Sequence, residues 1–350
     1  MVRFRRSLSA LTMMIVTALL VGGPGAAQQP AASLLFSQID QELANVAPQS
    51  NLLIAEFRGS TCATIHGQNE DIPLAIASVF KLYVLGELAR QIQLGDASWS
   101  DTIALSDALR SMPSGDFAYL PAGTSATVQQ LAEAMIWVSD NTAADHLIDY
   151  LGRENVQRSF QAFGQQDPAA NYPLLMTHEL FQIKMSQTDA WMDQYMAAND
   201  DQQAEMLAAV IDPMLINPTG GWGNWNGPTA IDGIEWFASA TDLCRVSASL
   251  WSLGAQSGLE PVRTILTGNR GAVSDTTAFP QAGYKGGYEA GVVNATFVLQ
   301  RSDGRVFFAT AGFNTQQGTI DQRAGIDQLA EIFGCLAIID GAGSCADGSW

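Results

Sequence analysis

Lysine is scarce in this 350-residue chain, since the seventeen basic side chains include only three lysines. Arginine supplies a positive charge equally well, but of the two only lysine can lose its proton and act as a base. Acidic side chains outnumber basic ones, and the formal net charge is −18. An acidic surface of this kind repels nucleic acid and anionic membranes, so neither is expected as a partner.

Long apolar runs are almost absent. The run from Leu11 to Val21 follows three arginines and is too short to span a bilayer comfortably. Gly25-Ala26-Ala27 then supplies small residues for cleavage. This pattern predicts a signal peptide over residues 1–27, and a mature protein that is periplasmic or secreted, not inserted in the membrane.

Cysteine and histidine are few, with four and three residues, and no spacing resembles a zinc site. No metal and no cofactor is therefore expected. Export allows the cysteines to pair. Cys335–Cys345 is favoured as a bridge by its short separation and Cys62–Cys244 is the second candidate, but three connectivities remain open. The G-x-S-x-G pattern is also absent, which argues against a conventional α/β-hydrolase.

Hydrophobic periodicity predicts a mixed fold in which helices separate two groups of strands. A hairpin near the N-terminus and three strands near the C-terminus are expected to pair into one antiparallel sheet, flanked by terminal helices. The clearest elements are helices at Ala32–Ala47, Ser78–Gln93, Thr127–Val138, Thr142–Phe163, Thr177–Ala198, Asp201–Ile211, Ala240–Leu253, Leu259–Thr267 and Asp321–Ile339, and strands at Asn51–Phe57, Thr61–His66, Ala282–Gly287, Val292–Gln300 and Arg305–Phe313.

Residues 28–350 are predicted to form one domain with two lobes. An α/β lobe would comprise about 32–77 and 268–340, and an all-helical lobe, about 78–267, would be inserted into it. A cleft between the lobes would collect the polar motifs. A Gly/Trp-rich loop at 217–228 is predicted either to cover this cleft or to be fixed by buried indoles.

Ser78 and Lys81 lie three residues apart within apolar flanks, and therefore on one face of the predicted helix. Serine needs an adjacent base to become a good nucleophile. A lysine in a low-dielectric cleft has a lowered pKa and can serve as that base. The alternative is an ordinary helix start, but a lysine within so apolar a segment requires a reason.

Two further motifs follow in order. Ser139-Asp140-Asn141 precedes a helix, and taken alone it is typical of an N-cap. Lys285-Gly286-Gly287 lies in a predicted strand, where the glycines indicate either a bend or a close approach of substrate.

Together the three motifs resemble the serine β-lactamase and penicillin-binding-protein superfamily, particularly class A β-lactamases, in which S-x-x-K, S-D-N and K-T-G or K-S-G follow in this order. The segments Pro173–Phe181 and Lys285–Val292 also resemble a divergent subgroup that includes a clavulanic-acid-cluster protein with esterase activity on cephalosporins. The resemblance covers the whole mature chain and implies a β-lactamase/transpeptidase-like fold. The spacing from Ser139 in the second motif to Lys285 in the third is longer than in class A β-lactamases. This difference implies an insertion at about 165–240.

The resemblance also implies a role for each matching residue. Ser78 would be the acylated nucleophile, Lys81 its base, and Ser139 the relay of a proton to the leaving nitrogen. Asn141 would hydrogen-bond Lys81 and the amide side chain of the substrate. Lys285 would attract the carboxylate of the substrate. Backbone N–H groups of Ser78 and Tyr288 would form the oxyanion hole, and Gly286, Gly287 and Tyr288 would contact the substrate.

The sequence departs from the class A pattern at two points. Gly286 stands where the family has a hydroxyl residue, which removes one contact to a substrate carboxylate. In class A enzymes a glutamate activates the water that hydrolyses the acyl-enzyme. The matching position in this chain falls near Leu175, so the motif spacing does not identify a deacylation base. Glu179 and Glu235 are candidates. An exposed, non-catalytic acid early in a helix is the favoured interpretation of Glu179, and a non-catalytic role next to Trp236 is favoured for Glu235.

The leading hypothesis is therefore an exported serine hydrolase, expected as a monomer, that hydrolyses β-lactams and serves antibiotic resistance or β-lactam catabolism. Esterase or D-Ala-D-Ala peptidase activity is the alternative within the superfamily. A non-hydrolysing sensor of β-lactams or cell-wall peptides is the second hypothesis. A solute-binding protein with fortuitous motifs ranks last.

Overall fold

A computed structural model describes residues 31–216 and 227–339. The predicted signal peptide, residues 217–226 of the Gly/Trp-rich loop, and Cys345 lie outside the described residues. Within them, none of the helices combines the length and the apolar character that crossing a membrane requires.

One five-stranded antiparallel sheet joins the two ends of the chain, as predicted. Its order is β2-β1-β9-β8-β7, so β7 lies at one edge. Four short strands that the sequence did not predict form two separate ladders, β3 with β6 and β4 with β5. The strands are β1 Gln49–Arg58, β2 Thr61–Gln68, β3 Leu74–Ala75, β4 Thr102–Ala104, β5 Ser125–Thr127, β6 Phe237–Ala238, β7 Gln281–Glu289, β8 Val292–Gln300 and β9 Val306–Asn314.

Helices cover both faces of this sheet and form a second, larger core beside it. α1 and α11 pack on one face through buried residues such as Ile39 and Leu329, while α9 packs on the other through Ala248 and Trp251. The helices are α1 Ala31–Val46, α2 Lys81–Leu94, α3 Val128–Trp137, α4 Asn141–Leu151, α5 Arg153–Ala162, α6 Thr177–Ser186, α7 Asp189–Ala197, α8 Asp200–Met206, α9 Ala240–Leu253, α10 Glu260–Thr267 and α11 Gln322–Ile338.

Two segments that were predicted as single helices each form two helices, so both predictions were wrong. The segment Thr142–Phe163 divides into α4 and α5 at Gly152, whose φ of +83° is the left-handed conformation that glycine adopts without cost. The segment Thr177–Ala198 divides where Thr188 accepts a hydrogen bond from the Trp191 N–H and so caps α7. Apolar periodicity continued through both breaks, so the capping residues were the only local signal.

A disulfide between Cys62 and Cys244 joins β2 to α9 across 182 residues of sequence. This is one of the pairings that the sequence left open. Cys335 is also disulfide-bonded. Disulfides of this kind persist in oxidising compartments.

Candidate active site

A cleft of about 360 Å³ opens between the edge of the sheet and the helical core. The predicted residues Ser78, Ser139, Asn141, Lys285, Gly286 and Tyr288 all line it. Lys81 lies beneath them and is completely buried. The structure therefore brings together three motifs that span more than 200 residues of sequence.

Ser78 is held in the cleft by a tight turn. A 3₁₀ turn, Ala77–Phe80, leads directly into α2, so Ser78 lies one turn before the helix rather than at its start. Ala77 adopts a φ of +45°, a left-handed conformation that is unfavourable for a residue with a Cβ. Phe80 fixes the turn from below by stacking on Trp236 at 3.9 Å between ring centroids. Strained residues of this type are typical of functional sites.

Lys81 donates three hydrogen bonds from its amine. The acceptors are the carbonyl oxygen of Ser139 at 2.7 Å, Ser139 Oγ at 3.2 Å and Asn141 Oδ1 at 2.5 Å. Asn141 is itself oriented, since its Nδ2 donates to the Pro113 carbonyl at 2.6 Å. The amine is thus held in one place, next to the second motif.

Burial sets the acidity of both lysines in the site. It lowers the pKa of Lys81 to about 7, although the carboxylates of Asp140 and Asp145 act in the opposite direction. It also holds the pKa of Lys285 well below its usual range, and the nearby Lys81 amine adds to this effect. A lysine with a pKa near 7 is available as a base at neutral pH.

Ser139 lies between the two amines. Its Oγ accepts from Lys81 and from Lys285, the latter at 3.0 Å. Its φ of +59° is again left-handed, which turns the side chain into the cleft at the end of α3. A hydroxyl in contact with two amines of lowered pKa can pass a proton between a lysine and a bound group.

Asp140 has a different function from its two neighbours. It is fully buried and caps α4 by accepting from the Ala143 N–H at 2.9 Å. It also accepts from Ser114 Oγ at 2.7 Å and from the Phe117 N–H at 3.1 Å. The two interpretations of this motif therefore apply to different residues, since Asp140 is the N-cap and its neighbours face Lys81.

Replacing Asp140 by alanine is expected to lower the free energy of unfolding by about 1–3 kcal/mol, because the helix cap and the hydrogen bonds donated by Ser114 and Phe117 are lost. Urea denaturation would measure the loss. Asp140→Asn keeps one acceptor oxygen and should lose less. An unchanged urea midpoint in Asp140→Ala would contradict the capping role.

The edge strand β7 presses against the turn that carries Ser78. A Cβ on Gly287 would overlap the Ile76 carbonyl oxygen and would lie 3.1 Å from the Ser78 backbone nitrogen. Only glycine permits so close an approach. Because β7 lies this close to the turn, the backbone of the next residue, Tyr288, lies beside Ser78 at the cleft.

The two glutamates proposed as deacylation bases lie elsewhere. The expectation that Glu179 is exposed was wrong, because its side chain is buried and its carboxylate accepts from Arg153 and from the Met176 N–H at 2.6 Å. Burial raises its pKa to about 7, while Arg153 opposes this shift. Its carboxylate is therefore held by structural partners, and it does not line the cleft in the described part of the chain.

Glu235 is similarly engaged. It and Glu289 both bind Lys184, with oxygen–nitrogen distances of 3.1 and 2.6 Å. All three side chains are buried, and burial next to Glu235 raises the pKa of Glu289 well above its usual range. Leu175, near the position that matches the family's glutamate, is buried in the helical core. Among the described residues that line the cleft, none is acidic.

The cleft residues that the three motifs did not indicate include Tyr284, Asn269, Phe181 and Gln322. Tyr284 carried a signal, because it lies two residues before Gly286 and therefore on the same face of a strand. Phe181 lies in the segment Pro173–Phe181 that resembles the divergent subgroup, whereas Asn269 and Gln322 had no signal.

Solved structures with this architecture are β-lactamases and a related protein. A β-lactamase from Sphaerobacter thermophilus has a TM-score of 0.58 at 19% identity, over 85% of this chain and 94% of that chain. A β-lactamase from Chitinophaga pinensis gives 0.58 at 12%, over 85% and 96%. PBP-A gives 0.55 at 16%, over 86% and 96%. No curated protein sequence matches the chain.

Fold and site together define a serine hydrolase of the β-lactamase type. The sequence profile Beta-lactamase2, described as the beta-lactamase enzyme family, matches residues 35–221, more than half of the chain. The chain therefore belongs to the beta-lactamase enzyme family, and the resemblance inferred from its motifs is confirmed.

Proposed function

We propose that the protein forms an acyl-enzyme on Ser78 with β-lactam substrates. The observation that carries this proposal is the Lys81 amine, which is buried, held by Ser139 and Asn141, and lowered in pKa to about 7. A buried lysine without a carboxylate in hydrogen-bond contact destabilises the fold, and groups with pKa values perturbed in this way are concentrated at functional sites.

In the proposed reaction, neutral Lys81 accepts the proton of Ser78 Oγ as this oxygen attacks the lactam carbonyl. The backbone N–H groups of Ser78 and Tyr288 stabilise the oxyanion. When the carbon–nitrogen bond of the ring breaks, Ser139 protonates the leaving nitrogen and is reprotonated from Lys81. This completes the acyl-enzyme, with Lys285 attracting the carboxylate of the substrate.

A second candidate, a β-lactam sensor or a slow esterase, is favoured by one specific observation. No acidic side chain lines the described part of the cleft, and Glu179 and Glu235 are held by Arg153 and Lys184. A positioned base contributes about 10²–10⁴-fold to proton transfer. Acylation is thus expected to be faster than deacylation, and turnover to be slow.

A chromogenic cephalosporin separates the two candidates. Hydrolysis is followed by absorbance while intact mass reports the acylated fraction. A β-lactamase hydrolyses many equivalents with little adduct, whereas a sensor or slow esterase gives a burst of one equivalent and an adduct that persists. A protein that shows neither an adduct nor hydrolysis would contradict the proposal.

Acylation should depend on pH through Lys81. Below its pKa of about 7 the amine is protonated and cannot accept the Ser78 proton. The acylation rate constant should therefore rise with pH, by about tenfold per unit below the pKa, and level off above it. Stopped-flow acylation between pH 5 and 9 measures this. A rate that falls as pH rises towards 7 would exclude Lys81 as the base.

We further propose that the mature enzyme is exported. The Cys62–Cys244 disulfide supports an oxidising compartment. Expression with the native N-terminus, followed by N-terminal sequencing of the mature protein, should give Gln28 as its first residue. A product in the cytosolic fraction with its first 27 residues retained would contradict export.

A further inference from the structure

The position of the missing family hydroxyl is not empty in this cleft. A Cβ built on Gly286 would overlap the hydroxyl oxygen of Tyr284. Tyr284 and Gly286 are on one face of β7, and both line the cleft together with Ser78 and Ser139. A side chain at position 286 would displace the hydroxyl of Tyr284. A hydroxyl is therefore present at this point of the cleft, but Tyr284 supplies it and not the residue at position 286.

Packing contacts around the Tyr284 ring fix the position of its hydroxyl. It packs on Phe297 of β8 with 4.8 Å between ring centroids. A Cβ on Gly271 would lie 2.6 Å from the ring, so this glycine leaves room for it. The side chain of Gln322, at the start of α11, hydrogen-bonds the hydroxyl and also lines the cleft. The phenol is thus confined by β8, by the loop at Gly271 and by the start of α11.

The side chains at this end of the cleft can bind an anion. Lys285 lies in the strand between Tyr284 and Gly286, and its amine points to Ser139. No acidic residue lines the described part of the cleft. Burial raises the pKa of Tyr284, so the phenol remains protonated at neutral pH and acts as a donor.

We propose that the Tyr284 hydroxyl binds the carboxylate of the substrate and determines the preference of the enzyme for substrates that carry one. The proposal rests on the proposed acylation of Ser78. It makes Tyr284 a specificity-determining residue, because a neutral donor at this point discriminates between a carboxylate and an uncharged group.

The test compares a cephalosporin that has a free carboxylate with its methyl ester. For each compound the second-order acylation rate constant is measured by intact mass, in wild type and in Tyr284→Phe. The variant should lose about tenfold or more with the carboxylate compound, as expected for a hydrogen bond to a charged group, and less than about twofold with the ester. Tyr119→Phe, the same change at an exposed position outside the cleft, should alter neither rate.

Moving the hydroxyl back to the family's position gives a second test. Tyr284→Val removes the phenol and the obstruction, and should lose the preference for the carboxylate compound. Adding Gly286→Thr to that variant places a hydroxyl on the same face of β7, and should restore part of the preference. Thermal unfolding would confirm that each variant is folded.

The outcomes separate the two proposals. Acylated wild type with equal losses for both compounds in Tyr284→Phe, or with no loss for either, overturns the role of Tyr284 and leaves the acylation of Ser78 intact. Wild type that neither compound acylates overturns both.

Discussion

Ser78→Ala is expected to abolish covalent labelling by β-lactams and to reduce any turnover by roughly 10⁶-fold, the size of effect seen when a nucleophilic serine is removed from a serine hydrolase. The change deletes one oxygen that faces the cleft, on a turn held by Phe80 and Trp236. Folding should therefore be unaffected, and the loss should be chemical.

Intact mass and absorbance together measure this effect. Ser249→Ala, which removes the hydroxyl of a half-buried serine on α9 outside the cleft, is the matched control and should label like wild type. An adduct that forms on Ser78→Ala at the wild-type rate would show that another residue is the nucleophile, and the mechanism would be wrong.

Substitution of Lys81 should cost about 10²–10⁴-fold in the acylation rate, the contribution of a positioned general base. Two variants separate charge from basicity. Lys81→Met removes both, whereas Lys81→Arg keeps the charge but cannot act as a base at neutral pH. If Lys81 acts as a base, both variants lose activity and both lose the rise in rate near pH 7.

Single-turnover acylation from pH 5 to 9 provides the measurement, with thermal unfolding as the control for folding. Wild-type acylation by Lys81→Arg would mean that only the charge matters. A variant that stays slow but keeps the wild-type pH profile would assign the titration near pH 7 to another group.

The sequence could indicate that Ser78 and Lys81 lie together because their relation is local. Lys81 follows Ser78 by three positions, which places the two residues one turn apart in a helical turn. The second motif was ambiguous, since Ser, Asp and Asn all cap helices. The structure resolves it because Asp140 binds the backbone of α4 while Ser139 and Asn141 face the lysine.

The relations that the sequence did not reveal are long-range. Glu179 was a candidate base by position, but its pairing with Arg153, the first residue of α5, depends on how α6 packs against α4. The contact of the Tyr284 hydroxyl with Gly286 depends on the pleat of β7 and on Phe297 in the neighbouring strand. Motif spacing contains neither kind of information.

Peptide mapping after exposure to penicillin G would show whether β-lactams acylate Ser78. The mature protein is quenched in acid at short times, digested and sequenced by tandem mass spectrometry. We expect one added penicilloyl group, located on Ser78, in the wild type and none in Ser78→Ala. A penicilloyl group on any other residue, or its absence at saturating penicillin G, would contradict it.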